Sequence, residues 1–284
     1  MIDLHTHTDE SDGTYTPKEL VDAAVRLKLE ALAITDHDTF AGYDLALPEA
    51  CAAGLDLVCG IELSCRLAGT RETSIHMLGY FLHQPPSPEF RKWLSEVLAD
   101  RRDRNERLIG SLQKMGVDIR LSEVEAVGGT LTGRPHFARV LVQKGYARNS
   151  EDAFRKYLGE FAPAYVERHG PFAVAGIQRV LRGGGLAVLA HPVRLGIRNP
   201  RDEEALILEL CEAGLGGLEV YHADHRPADI ERYDRLARKL DLAITGGSDF
   251  HGGTKPGHAL GTGVKGNLNI PKAVLDRLRE RKVS

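Results

Sequence analysis

Apolar residues in this chain come in short continuous blocks, at 2–4, 31–35, 57–63 and 75–82, and again at 186–190, 218–221 and 242–245. Unbroken blocks of this kind, without polar alternation, fit strands buried on both faces. Stretches with helical spacing of apolar positions lie between them, at 17–29, 45–53, 171–182, 203–213 and 227–239. Thr16 followed by Pro17 is a helix start, an N-cap hydroxyl and a proline whose missing N–H costs nothing there. Gly54 is a natural stop for the helix before it. Repeated strand–helix units predict a mainly parallel sheet of the α/β class, with all strands pointing one way. Seven strands with covering helices suit a closed or nearly closed barrel.

Residues 84–168 break that rhythm. They open with Pro85, Pro86 and Pro88 and continue as a long charged helix over 89–115. Shorter helical pieces follow at 122–127, 135–144 and 150–158. The expected division is a barrel domain, 1–83 with 169–284, and a helical insertion, 84–168, that caps it. The last helix, 272–282, is basic and reads as a solvated surface element.

Composition narrows the picture. With 284 residues, 42% of them hydrophobic and 27% charged, the chain suits one large barrel with an insertion. A net charge of −3 gives no global field for holding long nucleic acid. No apolar run approaches the roughly 18 residues of a membrane span, and the opening residues lead to the expectation of no secretory leader. Cys51, Cys59, Cys65 and Cys211 show no paired spacing, so a reduced, cytoplasmic setting is expected.

Metal-type side chains recur where the predicted strands end. His5 and His7 follow the first block, and Asp36 and His37 the second. Glu62 lies in the third and His76 in the fourth; His191, His222, Asp249 and His251 follow the later ones. Strand ends converge on one face of such a barrel, so residues far apart in sequence share a pocket. His5 and His7 lie on the same side of an extended segment and can serve one cation. Taken singly, each residue has a plainer reading: a satisfied core histidine, a polar turn or a buried ion pair. A lone carboxylate such as Glu62 inside an apolar strand is costly unless something neutralises it. Imidazole and carboxylate donors without thiolate suit Zn, Mn or Fe. Cys65 reads as a buried apolar side chain rather than a ligand.

The stretches HTHTDESDGTYTP, AITDHDT, GIELSC, IHMLGY, LAHP and GGSDFHG resemble the PHP (polymerase and histidinol phosphatase) family, in order and across both barrel segments. The resemblance implies a distorted (β/α)7 PHP barrel. DSDGTYTP together with a helical insertion looks like the stand-alone PHP phosphoesterases acting on nucleotides, including 3′,5′-nucleoside bisphosphate phosphatases, some linked to 5′–3′ trimming of short RNA. By position it implies three metal sites: His5, His7 and Asp249 bridged by Glu62; Glu62 with His76 and His191; and Asp12, His37 and His251. Many relatives carry histidine where Asp12 stands, a departure that favours Mn there.

Two or three divalent cations, with Mn the first choice and Zn or Fe the alternatives, would acidify a bridging water and hold phosphate oxygens. The expected reaction is removal of the 3′-phosphate from 3′,5′-bisphosphorylated nucleosides, with short 5′-phosphorylated oligonucleotides as further substrates. His222 or Asp249 is the expected proton donor. Arg134, His136 and Arg194 are candidate substrate contacts, because guanidinium is the natural phosphate clamp. Tyr221 or Phe137 could stack on a base. A histidinol-phosphate-type phosphatase would use the same metals. An amidohydrolase lacks its bridging lysine, since Lys28 and Lys144 lie away from strand ends. A non-catalytic metal-binding module conflicts with a complete ligand set. Oligomeric state is not legible.

Overall fold

The computed structural model describes residues 1–68, 74–129, 132–167 and 170–281. Seven strands form one sheet in chain order: β1 (Ile2–Asp3), β2 (Ala31–Ile34), β3 (Asp56–Arg66), β4 (Ser74–Phe81), β5 (Leu186–Leu189), β6 (Gly217–His222) and β7 (Ala243–Gly247). The sheet curls back on itself. Leu4 N–H donates to the Gly246 carbonyl at 3.2 Å, and Asp249 N–H to the His5 carbonyl at 2.8 Å. The fold is a nearly closed α/β barrel.

One strand runs against the rest. β4 is antiparallel to both β3 and β5, while the other pairs are parallel. This corrects the expectation that all strands point one way. Only residues 67–73 join β3 to β4, and a parallel return needs a crossover of about a dozen residues or more. The reversal brings the beginning of β4 to the face where its neighbours end.

Helices cover the outside: α1 (Pro17–Arg26), α2 (Ala41–Ala53), α7 (Ala173–Arg182), α8 (Pro200–Glu212) and α9 (Pro227–Lys239). α1 starts with a reciprocal cap, Glu19 N–H to Thr16 Oγ1 at 3.3 Å and Thr16 N–H to Glu19 at 2.9 Å. α2 begins at Ala41, a turn before the predicted start, and carries Pro48 inside it. Its first turn touches the loop after β1. A Cβ on Gly42 would stand 1.9 Å from Asp36 Oδ2 and 2.5 Å from Thr8 Oγ1, so only glycine fits.

The barrel interior is apolar at one end, filled by Ile2, Leu4, Leu78, Tyr80 and Val188. α10 (Ala273–Glu280) closes that end by burying Leu275 and Leu278 against them. The last helix is thus part of the core, not a solvated element. Its basic residues face outward, and Arg279 clasps Asp56 with two 2.8 Å bonds. The local charge pattern reveals the outer face but not what the leucines cover. Lys282 lies outside the described residues.

The insertion folds as α3 (Pro88–Lys114), α4 (Leu121–Gly128), α5 (Arg134–Gln143) and α6 (Ser150–Ala153), the last running into a π-turn at Phe154–Leu158. Leu108, Leu112, Ile119, Phe137 and Leu141 form a core of its own. Phe137 is fully buried there, so it packs and is not free to stack on a base. Arg168, at the expected end of the insertion, lies outside the described residues. No described helix is long and apolar enough to cross a membrane.

Candidate metal centre

His5 and His7 leave β1 on an extended segment, with Thr6 between them facing the other way and donating to the Ala33 carbonyl at 2.6 Å. The two imidazoles therefore enter one cavity. Glu62, in the middle of β3, is its hub. Its Oε2 lies 3.2 Å from His5 Nε2, 3.1 Å from His7 Nε2 and 3.4 Å from His37 Nδ1. Its Oε1 lies 2.8 Å from His76 Nδ1 and 2.9 Å from His191 Nε2. One carboxylate thus serves five imidazoles from four separate segments. His76 reaches it only because β4 is reversed.

Asp249 adds a second carboxylate, Oδ1 standing 3.5 Å from His5 Nε2 and 3.4 Å from His7 Nε2. Asp12 makes a third group, 3.1 Å from His251 Nε2, 3.6 Å from His7 Nδ1 and 3.7 Å from His37 Nε2. Backbone strain collects here. Asp38, His191 and Asp249 have φ of 52°, 25° and 53°, a region that side chains with a Cβ avoid unless their surroundings impose it.

Ring nitrogens show what the cluster can hold. His5 Nδ1–H donates to Glu219 at 2.9 Å, and His251 Nδ1–H to the Asp249 carbonyl at 2.8 Å. Each bond fixes the tautomer and leaves Nε2 with a lone pair aimed inward. Nε2 of His5, His7 and His251 is buried and makes no hydrogen bond. Buried nitrogens left without one are expensive, and a divalent cation is what such converging lone pairs and carboxylates fit. Donor atoms of His5, His7, Glu62 and Asp249 lie within 4.8 Å of one another, as do those of His7, Asp12, His37 and His251. His222 is different. Its Nδ1 accepts from the Asp224 N–H at 3.0 Å, so its inward Nε2 carries the proton.

Charge follows the same pattern. Burial opposes ionisation of Glu219, yet His5 and His222 hold its carboxyl down at about 2. Burial likewise opposes protonation of His7, yet Asp249, Glu62 and Asp12 lift it to about 9. Asp249 stays ionised well below the usual carboxylate range: burial works against it, but His5, His222 and His7 prevail. Burial pushes His191 down to about 4 against the pull of Glu62. Ionised carboxylates and imidazoles are thus packed into one buried pocket, a donor set that suits divalent cations.

Of the expected substrate contacts, Arg194 is at the cluster, its Nη1 2.7 Å from Asp249 Oδ2. Arg134 sits inside the insertion, its guanidinium 5.7 Å from the Tyr165 ring and 5.9 Å from the Phe154 ring. His136 Nδ1 accepts from the Gly133 N–H at 3.0 Å and so caps α5. Several residues escaped the sequence reading. Glu219 receives His5 and also the His191 N–H at 2.7 Å; a glutamate inside the apolar block 218–221 was the signal, the same one that marked Glu62. Arg101 of α3 pairs with the buried Asp38, tying the insertion to the site, and nothing in its charged helix set it apart. Lys255 stands 2.7 Å from Asp249 Oδ2, from a loop with no pattern to mark it.

The family model for the PHP domain matches residues 3–168. A 5′-3′ exoribonuclease of Haemophilus influenzae is 32% identical over 249 residues, 88% of this chain and 89% of that protein. A 3′,5′-nucleoside bisphosphate phosphatase of Chromobacterium violaceum is 32% identical over 265 residues, 90% of each chain. A Bifidobacterium adolescentis structure described as a metal-dependent phosphoesterase superposes with a TM-score of 0.77 at 33% identity, over 98% of this chain and 96% of that one.

Proposed function

The chain belongs to the PHP domain family, and on that premise we propose that it removes the 3′-phosphate from 3′,5′-bisphosphorylated nucleosides. It is a metal-dependent phosphoester hydrolase. The observation that carries the reading is the set of buried, hydrogen-bond-free imidazole Nε2 atoms around the shared Glu62 carboxylate.

His5, His7, Glu62 and Asp249 would hold one cation, Glu62, His76 and His191 a second, and Asp12, His37 and His251 a third, with Mn the metal we favour. Bound there, such cations acidify water and neutralise charge on phosphoryl oxygens. The protein's own groups do the rest. Water adds to phosphorus as the bond to the sugar oxygen breaks, giving the alcohol and inorganic phosphate. Asp249 would relay the water's proton to the leaving oxygen. His222 has its proton on Nε2 and none on Nδ1, which suits it to a hydrogen bond on the leaving oxygen rather than to net proton donation. Arg194 supports the phosphoryl group. Arg134 and His136, on the 84–168 cap, would meet the rest of the substrate.

Short 5′-phosphorylated oligonucleotides are a second substrate class, favoured by the exoribonuclease relative. The test is a panel with the Mn-reconstituted protein: adenosine 3′,5′-bisphosphate, 3′-AMP, 5′-AMP, dinucleotides and histidinol phosphate. The bisphosphate should show the highest kcat/KM, and chelation should abolish turnover. Preference for histidinol phosphate, or turnover that survives chelation, would overturn the reading.

A further inference from the structure

Lys255 lies in the loop after β7, beyond His251. Its Nζ is 2.7 Å from Asp249 Oδ2. Arg194 Nη1, from the turn after β5, reaches the same oxygen at 2.7 Å. His222 Nε2, from the end of β6, stands 3.6 Å from it. Donors from three elements therefore converge on one point. The other oxygen, Oδ1, faces His5 and His7. Asp249 stands between an imidazole cluster on one side and a cationic wall on the other.

That balance is uneven. One carboxylate faces two fixed cations. Arg194 has a second partner, Asp224, at 2.6 Å, whereas among the described residues Asp249 is the ionic partner seen for Lys255. Its side chain is 32% exposed, so part of the ammonium is open to whatever enters the pocket. Once Asp249 spends its charge on a cation, Lys255 is left facing an incoming anion. The two oxygens of a carboxylate span about as much as two oxygens of a phosphoryl group. A phosphoryl group bound beside Asp249 at the imidazole cluster would come within reach of Lys255.

We propose that Lys255 is a catalytic residue that binds a non-bridging oxygen of the phosphoryl group under attack, beside Arg194, and stabilises the charge that builds there. This rests on the phosphoester-hydrolase reading above. The experiment uses the full-length, metal-reconstituted protein and its Lys255→Met and Lys255→Arg variants. Turnover is measured on p-nitrophenyl phosphate and adenosine 3′,5′-bisphosphate, inorganic phosphate binding by titration calorimetry, and metal content by elemental analysis. Lys255→Met should lower kcat/KM by about 10²–10³-fold on both substrates, the scale of removing one transition-state donor. It should weaken phosphate binding by about tenfold or more, the scale of one charged hydrogen bond, with metal content unchanged, and Lys255→Arg should restore part of both. Unchanged phosphate affinity, a loss confined to the bisphosphate, or a loss that tracks metal content would overturn the proposal. If the wild-type protein turns over neither ester, the hydrolase reading fails, while the phosphate titration still decides Lys255.

Discussion

The two ends of the barrel are built by the same strands and do opposite things. At the end closed by α10, Ile2, Leu4, Leu275 and Leu278 fill the interior with atoms that only need to exclude water. One residue past Leu4, on the segment that leaves the first strand, His5 opens the other end, where carboxylates and imidazoles are crowded together and backbone is held at positive φ. The apolar end gains stability from every contact. The polar end carries unsatisfied buried nitrogens and crowded buried carboxylates that cost stability unless something satisfies them. The barrel thus holds its strained half in place with its relaxed half.

That contrast can be broken outright at Glu62. Glu62→Gln should lower turnover by about 10³-fold or more, because the carboxylate proposed as the shared ligand is lost, and bound metal should fall with it. The folded fraction by circular dichroism should hardly change. A variant that keeps its metal and its rate would end the distinction between the two halves.

The converse change is at the far end. Leu278→Ala removes a fully buried leucine and should cost about 2–5 kcal/mol of unfolding free energy, read from urea denaturation. Its kcat per folded molecule should match the wild type. Lost activity in folded protein would mean that the ends are coupled.

Acid should sharpen the comparison next. His225 sits near the polar end, donating through Nδ1 to the Val220 carbonyl at 2.8 Å, and burial lowers its pKa to about 4. The unfolded chain binds that proton near its ordinary value of about 6.5. As pH falls from about 6.5 to about 4, the unfolded state takes up the proton first, so stability contributed by the neutral ring is lost across that window and is fully present above it. The metal-free protein should lose on the order of 1–3 kcal/mol there from this residue. His225→Gln should flatten that part of the curve; an unchanged pH profile would assign the acid sensitivity elsewhere.

The smallest effect is expected at the surface of the apolar end. Arg279 and Asp56 are each about one-third exposed, 36% and 32%. Arg279→Ala should cost about 0.2–1 kcal/mol, less at high salt, with no change in turnover. A larger loss would mean that the pair, and not the leucines beneath, holds α10 down.

Much of this was written locally. The apolar blocks located the strands, Thr16 and Gly54 marked helix ends, and histidine recurring after block upon block located the site. Glu219 was legible by the same rule as Glu62, but its partner His5 is 214 residues away, so their bond left no trace in the sequence. The reversal of β4 was implied by the short 67–73 connection, yet its consequence for His76 needs the assembled sheet.

The chain's own order of residues determined the barrel class, the type of candidate donor side chains and the apolar blocks they fall in or follow, because those follow from short-range periodicity and side-chain type. Only the folded structure decided which nitrogen of each histidine faces inward, that Lys255 and Arg194 meet on one oxygen of Asp249, and that α10 seals the opposite end. Those outcomes depend on through-space distances between segments, and no local pattern of apolar and polar residues encodes a distance.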